Sequence, residues 1–299
     1  MGAEFASVFH ALGTRVSIVE AMERLIPIPS MDEDSSRLLQ REFKKKKLPV
    51  FLNKTVVRTE RTSEGSIKVF LGPSPFLEVV KEMDQKEIEL QVDRVLITVG
   101  RKYNSDGIGL KALGMEVNDR GWLPVNDRVE TSIPGIYAIG DLLGPEQMML
   151  AHTASAEALV AVENALGGNA VMNYRTIPAV FFTSPEVATV GISEAEAKKD
   201  GLAYRADTFH FRGLGKPQAM GKIAGHVKIV SENPTGQSLG VHIIGPHATD
   251  LIAEAALAMK HGLSTKDLAK TIHLHPSLSE AVMEAAHATL DNCLHLPPV

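Results

Sequence analysis

The densest chemistry in the chain lies near its end, where His273-Leu274-His275-Pro276-Ser277-Leu278-Ser279-Glu280 puts two imidazoles and a carboxylate in one short segment. Imidazole titrates near neutrality, so the segment is a candidate for acid–base work. Two plainer readings fit the same residues. Proline at a first helical position and a Ser-x-x-Glu pattern make a good helix start, with Ser277 and Glu280 as a capping box. A His-x-His metal site is the weaker rival, because no carboxylate or cysteine of suitable ligand spacing accompanies it.

Two further constellations stand upstream. Gly135-Ile136-Tyr137-Ala138-Ile139-Gly140-Asp141 is followed by Met149-Leu150-Ala151-His152-Thr153, which opens an alanine-rich stretch. Alone, this is a strand, a glycine turn and an aspartate able to cap a helix. At the other end of the chain, Gly2 opens a helical pattern and a short apolar strand closes at Glu20. Their separation is close to the roughly 20 residues between the last glycine and the ribose acid of a dinucleotide-binding βαβ unit. The plainer reading is a glycine near the start of the chain and an exposed strand-end acid. The strand and glycines that would precede Gly2 in such a unit are not among these residues. The edge they would cover is expected to need another segment or chain.

The elements that must carry these groups follow from periodicity. Phe5, Val8, Phe9 and Leu12 recur at helical spacing, Gly13 stops that helix, and Val16–Glu20 reads as a short buried strand. A second helix is predicted over Asp34–Lys45 and ends in the cationic run Lys44 to Lys47, where lysines suit a helix C-terminus. Strands are predicted at Val50–Asn53, Thr55–Thr62, Ser66–Leu71 and Lys86–Gln91, and a buried one at Asp93–Gly100. Beyond Arg101 come a strand at Gly135–Ile139 and a helix over Leu150–Leu166, closed by Gly167-Gly168. From Asn173 onward strands (Ala179–Phe182, Tyr204–Phe211, Lys222–Val230, Leu239–Ile244) precede helices (Asp250–His261, Thr265–Thr271, Leu278–Ala288), an α+β arrangement.

Bulk properties bound the rest. The 299 residues, 44% hydrophobic and 22% charged, suit a globular chain of about two domains. A formal net charge of −5 gives no basic footprint for nucleic acid. No apolar run is long enough to span a bilayer, and no signal peptide is visible. Cys293 is the single cysteine, which excludes an intramolecular disulfide framework and fits a reducing compartment.

Taken in order, the segments resemble the flavoprotein disulfide reductases, and among them the dihydrolipoamide dehydrogenases. Gly135–Asp141 with Met149–Thr153 resembles the second flavin signature, Phe182-Thr183-Ser184-Pro185-Glu186 the entry to the interface domain, and His273–Glu280 the active-site segment. The resemblance implies incomplete FAD/NAD(P)-binding Rossmann-like α/β domains followed by an α+β dimerisation domain. Its parts would be residues 1–100 (NAD-binding, lacking its first strand), 101–172 (second part of the FAD domain) and 173–299 (interface).

It further implies FAD held by Asp141, Met149, Leu150, Ala151 and His152, and NAD approached by Gly2, Glu4, Glu20 and Gly100. Glu20 favours NAD over NADP, because an acid repels a 2′-phosphate, and Arg24 is the only basic residue close by. His275 would deprotonate a dihydrolipoyl thiol, and Glu280 would orient its ring. The family's first glycine-rich FAD segment and its Cys-x4-Cys disulfide are not in these residues. Cys293 cannot replace a pair, so the isolated chain is expected to be inactive as a dithiol:NAD oxidoreductase. A non-catalytic binding fragment and a glutathione-reductase-like enzyme are the alternatives. A homodimer is implied, with lipoyl-bearing proteins of 2-oxo acid dehydrogenase or glycine cleavage complexes as partners. The expected setting is the cytoplasm, with the mitochondrial matrix as the alternative.

Overall fold

The structure, a computed structural model, describes residues 1–80 and 85–295. They form two compact units, one built from residues 1–98 and 178–299 and the other from 99–177.

The first unit opens with helix α1 (Gly2–Ala11), strand β1 (Ile18–Val19) and helix α2 (Glu33–Lys45). Asp32 caps α2 by accepting the Asp34 N–H at 3.0 Å. Glu33 and Asp34 in its first turn and Lys44 and Lys45 in its last complement the helix dipole. Strand β2 (Val50–Phe51) pairs with β1 in parallel. Strands β3 (Lys54–Arg61), β4 (Ile67–Pro73) and β5 (Ile88–Val92) form an antiparallel meander.

Gly2 has a packing reason for being glycine. A Cβ built there lies 2.5 Å from Thr98 Oγ1, so α1 can approach residue 98 only without a side chain. Helix propensity alone favours alanine by up to about 1 kcal/mol. Gly2→Ala is therefore expected to destabilise the protein by about 1–2 kcal/mol in urea titrations, and to turn neutral or stabilising once Thr98→Ala clears the space.

The predicted buried strand over 93–100 is not formed. No strand hydrogen bonds assign it, and its apolar residues face solvent, Val99 being 93% exposed. A parallel strand needs a neighbour for its amides and cover for its side chains, and no described segment supplies the pairing.

The second unit, 99–177, is built mostly of turns around Met115, Leu123, Ala138 and Leu143. Its one α-helix, α3 (Ala151–Ala165), is the predicted alanine-rich helix. The predicted strand Gly135–Ile139 reduces to a single bridge, Tyr137 to Glu130, followed by a 3-10 turn at Gly140–Leu143. One bridging residue gives no ladder to extend.

The first unit then resumes. Strands β6 (Ala179–Phe181), β7 (Glu186–Gly191), β8 (Tyr204–His210), β9 (His226–Glu232) and β10 (Ser238–Gly245) make an antiparallel sheet in the order β6-β7-β10-β9-β8. Short helices α4 (Glu194–Lys199) and α5 (Gly215–Met220) flank β8, and α6 (Ala248–Lys260), α7 (Thr265–Lys270) and α8 (Glu280–Ala288) follow β10.

Strand alternation gives this sheet two different faces. Ala188, Val227, Ile229, Val241 and Ile243 pack with Ile252, Leu268 and Val282 of the helices. Val187 and Ile244 point the other way, into a core with Leu38, Leu39 and Phe43 of α2. The same reverse face carries His226, Lys228 and His242, all buried. There Lys228 Nζ reaches Asp34 at 2.8 Å, Asp32 at 3.2 Å and Glu194 at 2.5 Å. The first and last stretches of the chain thus share one core.

Candidate active site

The turn between α7 and α8 carries His273, His275 and Glu280. Glu280 is the first residue of α8, and only 5% of its side chain is exposed, whereas the His275 ring is 72% exposed. His275 Nδ1 lies 2.8 Å from Glu280 Oε1, and Glu280 Oε2 accepts the Ser277 N–H at 2.8 Å. The helix-start contact and the imidazole contact therefore coexist, one on each carboxylate oxygen. The expected capping box is not completed: the N-cap of α8 is Ser279, which makes no side-chain cap, and Ser277 Oγ bonds Ser279 Oγ at 2.9 Å. Burial alone would raise the Glu280 carboxyl, but the Ser277 amide and then the His275 ring outweigh it and hold it below the usual range.

His273 points elsewhere. Its Nε2 meets Glu254 of α6 at 2.8 Å and its Nδ1 the Thr271 carbonyl at 2.8 Å. The Glu254 bond raises its pKa against the opposing effect of burial. The two rings of the His-x-His pair thus serve separate carboxylates. Sequence reading missed Glu254, whose place in an alanine-rich helix reads as a solvated face.

In the second unit, Asp141 stands on the 3-10 turn before α3 and pairs with Arg101, the residue after Gly100. A cavity of about 430 Å³ opens beside them, lined by Arg101, Asn104, Trp122, Asp141, Leu142 and Met149. Leu150 is the N-cap of α3, Ala151 and His152 are its first residues, and no side chain caps it. Thr153 Oγ1, in that first turn, is buried and makes no hydrogen bond among the described residues. A cavity in the usual ligand range, an uncapped helix start and an orphaned hydroxyl fit the portion of a flavin cofactor these residues would hold.

The turn is braced from below by a residue the motif does not flag. Glu157 of α3, almost fully buried, accepts the Gly140 N–H at 2.6 Å and the Tyr174 O–H at 2.9 Å. Burial and that carboxylate push the Tyr174 phenol up. Glu157→Leu strands two donors and is expected to cost about 2–4 kcal/mol in unfolding free energy, against about 1 for Tyr174→Phe. Equal, negligible losses in both variants would contradict a bracing role.

The residues assigned to NAD are placed as follows. Gly2 opens α1, and Glu4, in its first turn, accepts the Phe182 N–H at 3.0 Å. Glu20 follows β1, and its Oε1 accepts the Met22 N–H at 2.9 Å. Gly100, at φ +126°, belongs to the second unit. Arg24, the nearby cation, donates to the carbonyls of Ile26 (3.3 Å), Ile28 (3.0 Å) and Met31 (3.0 Å). It is committed to its own loop and not offered to a 2′-phosphate, so the residues fit NAD better than NADP.

The family model described as pyridine nucleotide-disulphide oxidoreductase matches residues 1–158, and that family's dimerisation domain matches 177–286. A dihydrolipoyl dehydrogenase of Thermus scotoductus is 40% identical over 296 residues, covering 99% of this chain and 61% of its own. The mitochondrial dihydrolipoyl dehydrogenase 1 of Arabidopsis thaliana is 37% identical over 297 residues, covering 99% and 56%. The crystal structure of LpdA from Mycobacterium tuberculosis superposes with a TM-score of 0.83 at 28% identity, over 96% of this chain and 59% of that one. The chain thus spans about three-fifths of the relatives it matches, and FAD and NAD(H) are the cofactors its family implies. On these matches the chain belongs to the pyridine nucleotide-disulphide oxidoreductase family, dimerisation domain included.

Proposed function

We propose that these residues form the NAD-binding, second FAD-binding and interface portions of a dihydrolipoyl dehydrogenase. One observation carries the reading: a buried carboxylate fixes Nδ1 of an exposed imidazole at 2.8 Å. That leaves Nε2 without a partner among the described residues. A ring so held can take a proton from a thiol, whose pKa near 8.5 otherwise keeps it protonated at neutral pH. FAD, when bound, supplies the two-electron relay between dithiol and nicotinamide. The chain's own residues orient the base, brace the Asp141 turn and place an acid at Glu20.

The protein works as a homodimer on lipoyl groups borne by 2-oxo acid dehydrogenase or glycine cleavage complexes, in the cytoplasm or, alternatively, the mitochondrial matrix. The 299-residue chain alone, with one cysteine, lacks the dithiol pair and is inactive. The test joins this chain to the leading segment of the Thermus relative and assays dihydrolipoamide-dependent NADH formation. Activity in the joined protein and none in the lone chain is expected. NADH formation by the lone chain, or a joined protein that turns over glutathione disulfide instead, overturns the reading.

A further inference from the structure

Helix α2 turns Leu38, Arg41, Glu42 and Lys45, a helical i, i+3, i+4, i+7 row, toward the corner between β8 and β9. A cavity of about 120 Å³ lies between them. The facing wall is His210 at the end of β8, Arg212 just beyond it, and the stretch Ile223–Gly225 leading into β9. That wall is tightly set: Gly225 holds φ +146°, and a Cβ there would meet the Ile244 carbonyl oxygen at 2.1 Å.

The charges in this pocket do not balance. Lys45 is paired with Glu42 at 2.6 Å. The guanidinium groups of Arg41 and Arg212 have no hydrogen-bond or ion-pair partner among the described residues. Both lie within electrostatic range of one ring: burial, then Arg212 and Arg41, push the His210 imidazole toward its neutral form. Two unpaired cations and the His210 ring thus line one small concavity. Like charges held together are costly unless an anion joins them. Two guanidinium forks from opposite walls match a tetrahedral, doubly charged oxyanion better than a single carboxylate. The space admits such a group and is too small for a nucleotide.

We propose that this pocket binds a phosphate group, with Arg41 and Arg212 as its charged donors and the His210 ring as a third hydrogen-bonding partner. The group is either free inorganic phosphate or the phosphoryl end of a small metabolite, and the two are separable.

The test is thermal unfolding and calorimetric titration of the full 299-residue chain at constant ionic strength. Its ligands are inorganic phosphate, glycerol 2-phosphate and acetate. The expected result is stabilisation by phosphate and not by acetate. Affinity should weaken about tenfold or more in Arg41→Gln or Arg212→Gln, and vanish in the double variant. Both arginines are exposed, so in chloride alone the variants should melt at or slightly above the parent as their mutual repulsion is relieved, which separates lost binding from lost folding. Arg212→Lys, keeping charge without the fork, should bind with intermediate strength. A response to inorganic phosphate alone assigns the free ion, and an equal response to the ester assigns a phosphorylated metabolite. No phosphate response, an equal response to acetate, or a response that survives in the double variant overturns the proposal.

Discussion

In a protein joining these residues to its family's redox-cysteine segment, His275→Gln is expected to lower kcat for dihydrolipoamide oxidation by about 10²- to 10⁴-fold, the range of a positioned general base. Glutamine keeps size and polarity but cannot take the thiol proton. The partner residue makes the argument sharper. Ser277 N–H donates to Glu280 Oε2, so in Glu280→Gln the amide must present its oxygen to Ser277 and its NH₂ to His275. That NH₂ turns Nδ1 into an acceptor and forces the ring proton onto Nε2, the atom that has to be free. Glu280→Gln is therefore expected to cost at least about tenfold in kcat through the wrong tautomer, with KM changed little. Adding Ser277→Pro, which removes the N–H that fixes the amide, should restore part of the loss. Steady-state kinetics of the three variants decide the matter. A His275→Gln enzyme within about twofold of the parent would remove the imidazole from the chemistry.

The reach of the sequence can be traced element by element. Helix α2 was legible from amphipathic spacing with acids first and lysines last, α3 from its alanine-rich run and the glycine stop after it, and α6 from an early acid, a final lysine and a following glycine together. The His275–Glu280 pair was legible because both groups lie in one segment, where local geometry decides their meeting. Glu254 and Glu157 were not, since a carboxylate in an alanine-rich helix signals solvent and only tertiary packing turns it inward.

The strand expected at 93–100 failed for a related reason. An apolar run says that a segment wants cover, and says nothing of whether the covering strand is in the same stretch of chain. The reverse face of the five-stranded sheet is the opposite case. His226, Lys228 and His242 alternate with aliphatic residues as they would on a sheet with one wet face. Helix α2 closes over that face instead, from a part of the sequence almost two hundred residues away. The capping box Ser193-x-x-Glu196 was a readable signal for α4 and passed unused.

That covered polar face sets the protein's response to acid. His226 is only 4% exposed and faces Ser35 Oγ at 3.3 Å. Burial first, then the neighbouring His210 ring, pull its pKa from 6.5 to about 4, against the attraction of Asp32 and Asp34. In the unfolded chain the same imidazole takes its proton near 6.5. Between those values the unfolded state binds the extra proton, so stability present in full above about pH 6.5 is lost as pH falls toward 4. For His226 the loss comes to about 3 kcal/mol. His242 adds a loss of the same sign: fully buried between Thr189 Oγ1 and the Ile192 carbonyl, it is also lowered. Asp34, Glu280 and Glu284, all held below their ordinary carboxyl values, extend the loss as pH drops further. Urea unfolding at half-unit steps from pH 7 to 4 should therefore show a steep fall in free energy. His226→Gln cannot titrate and can still bond Ser35, so its curve should be flatter by about 3 kcal/mol over that window, and it should overtake the parent near the acid end. Parallel curves for parent and variant would mean that His226 is protonated in the folded protein and that the sheet's reverse face admits water.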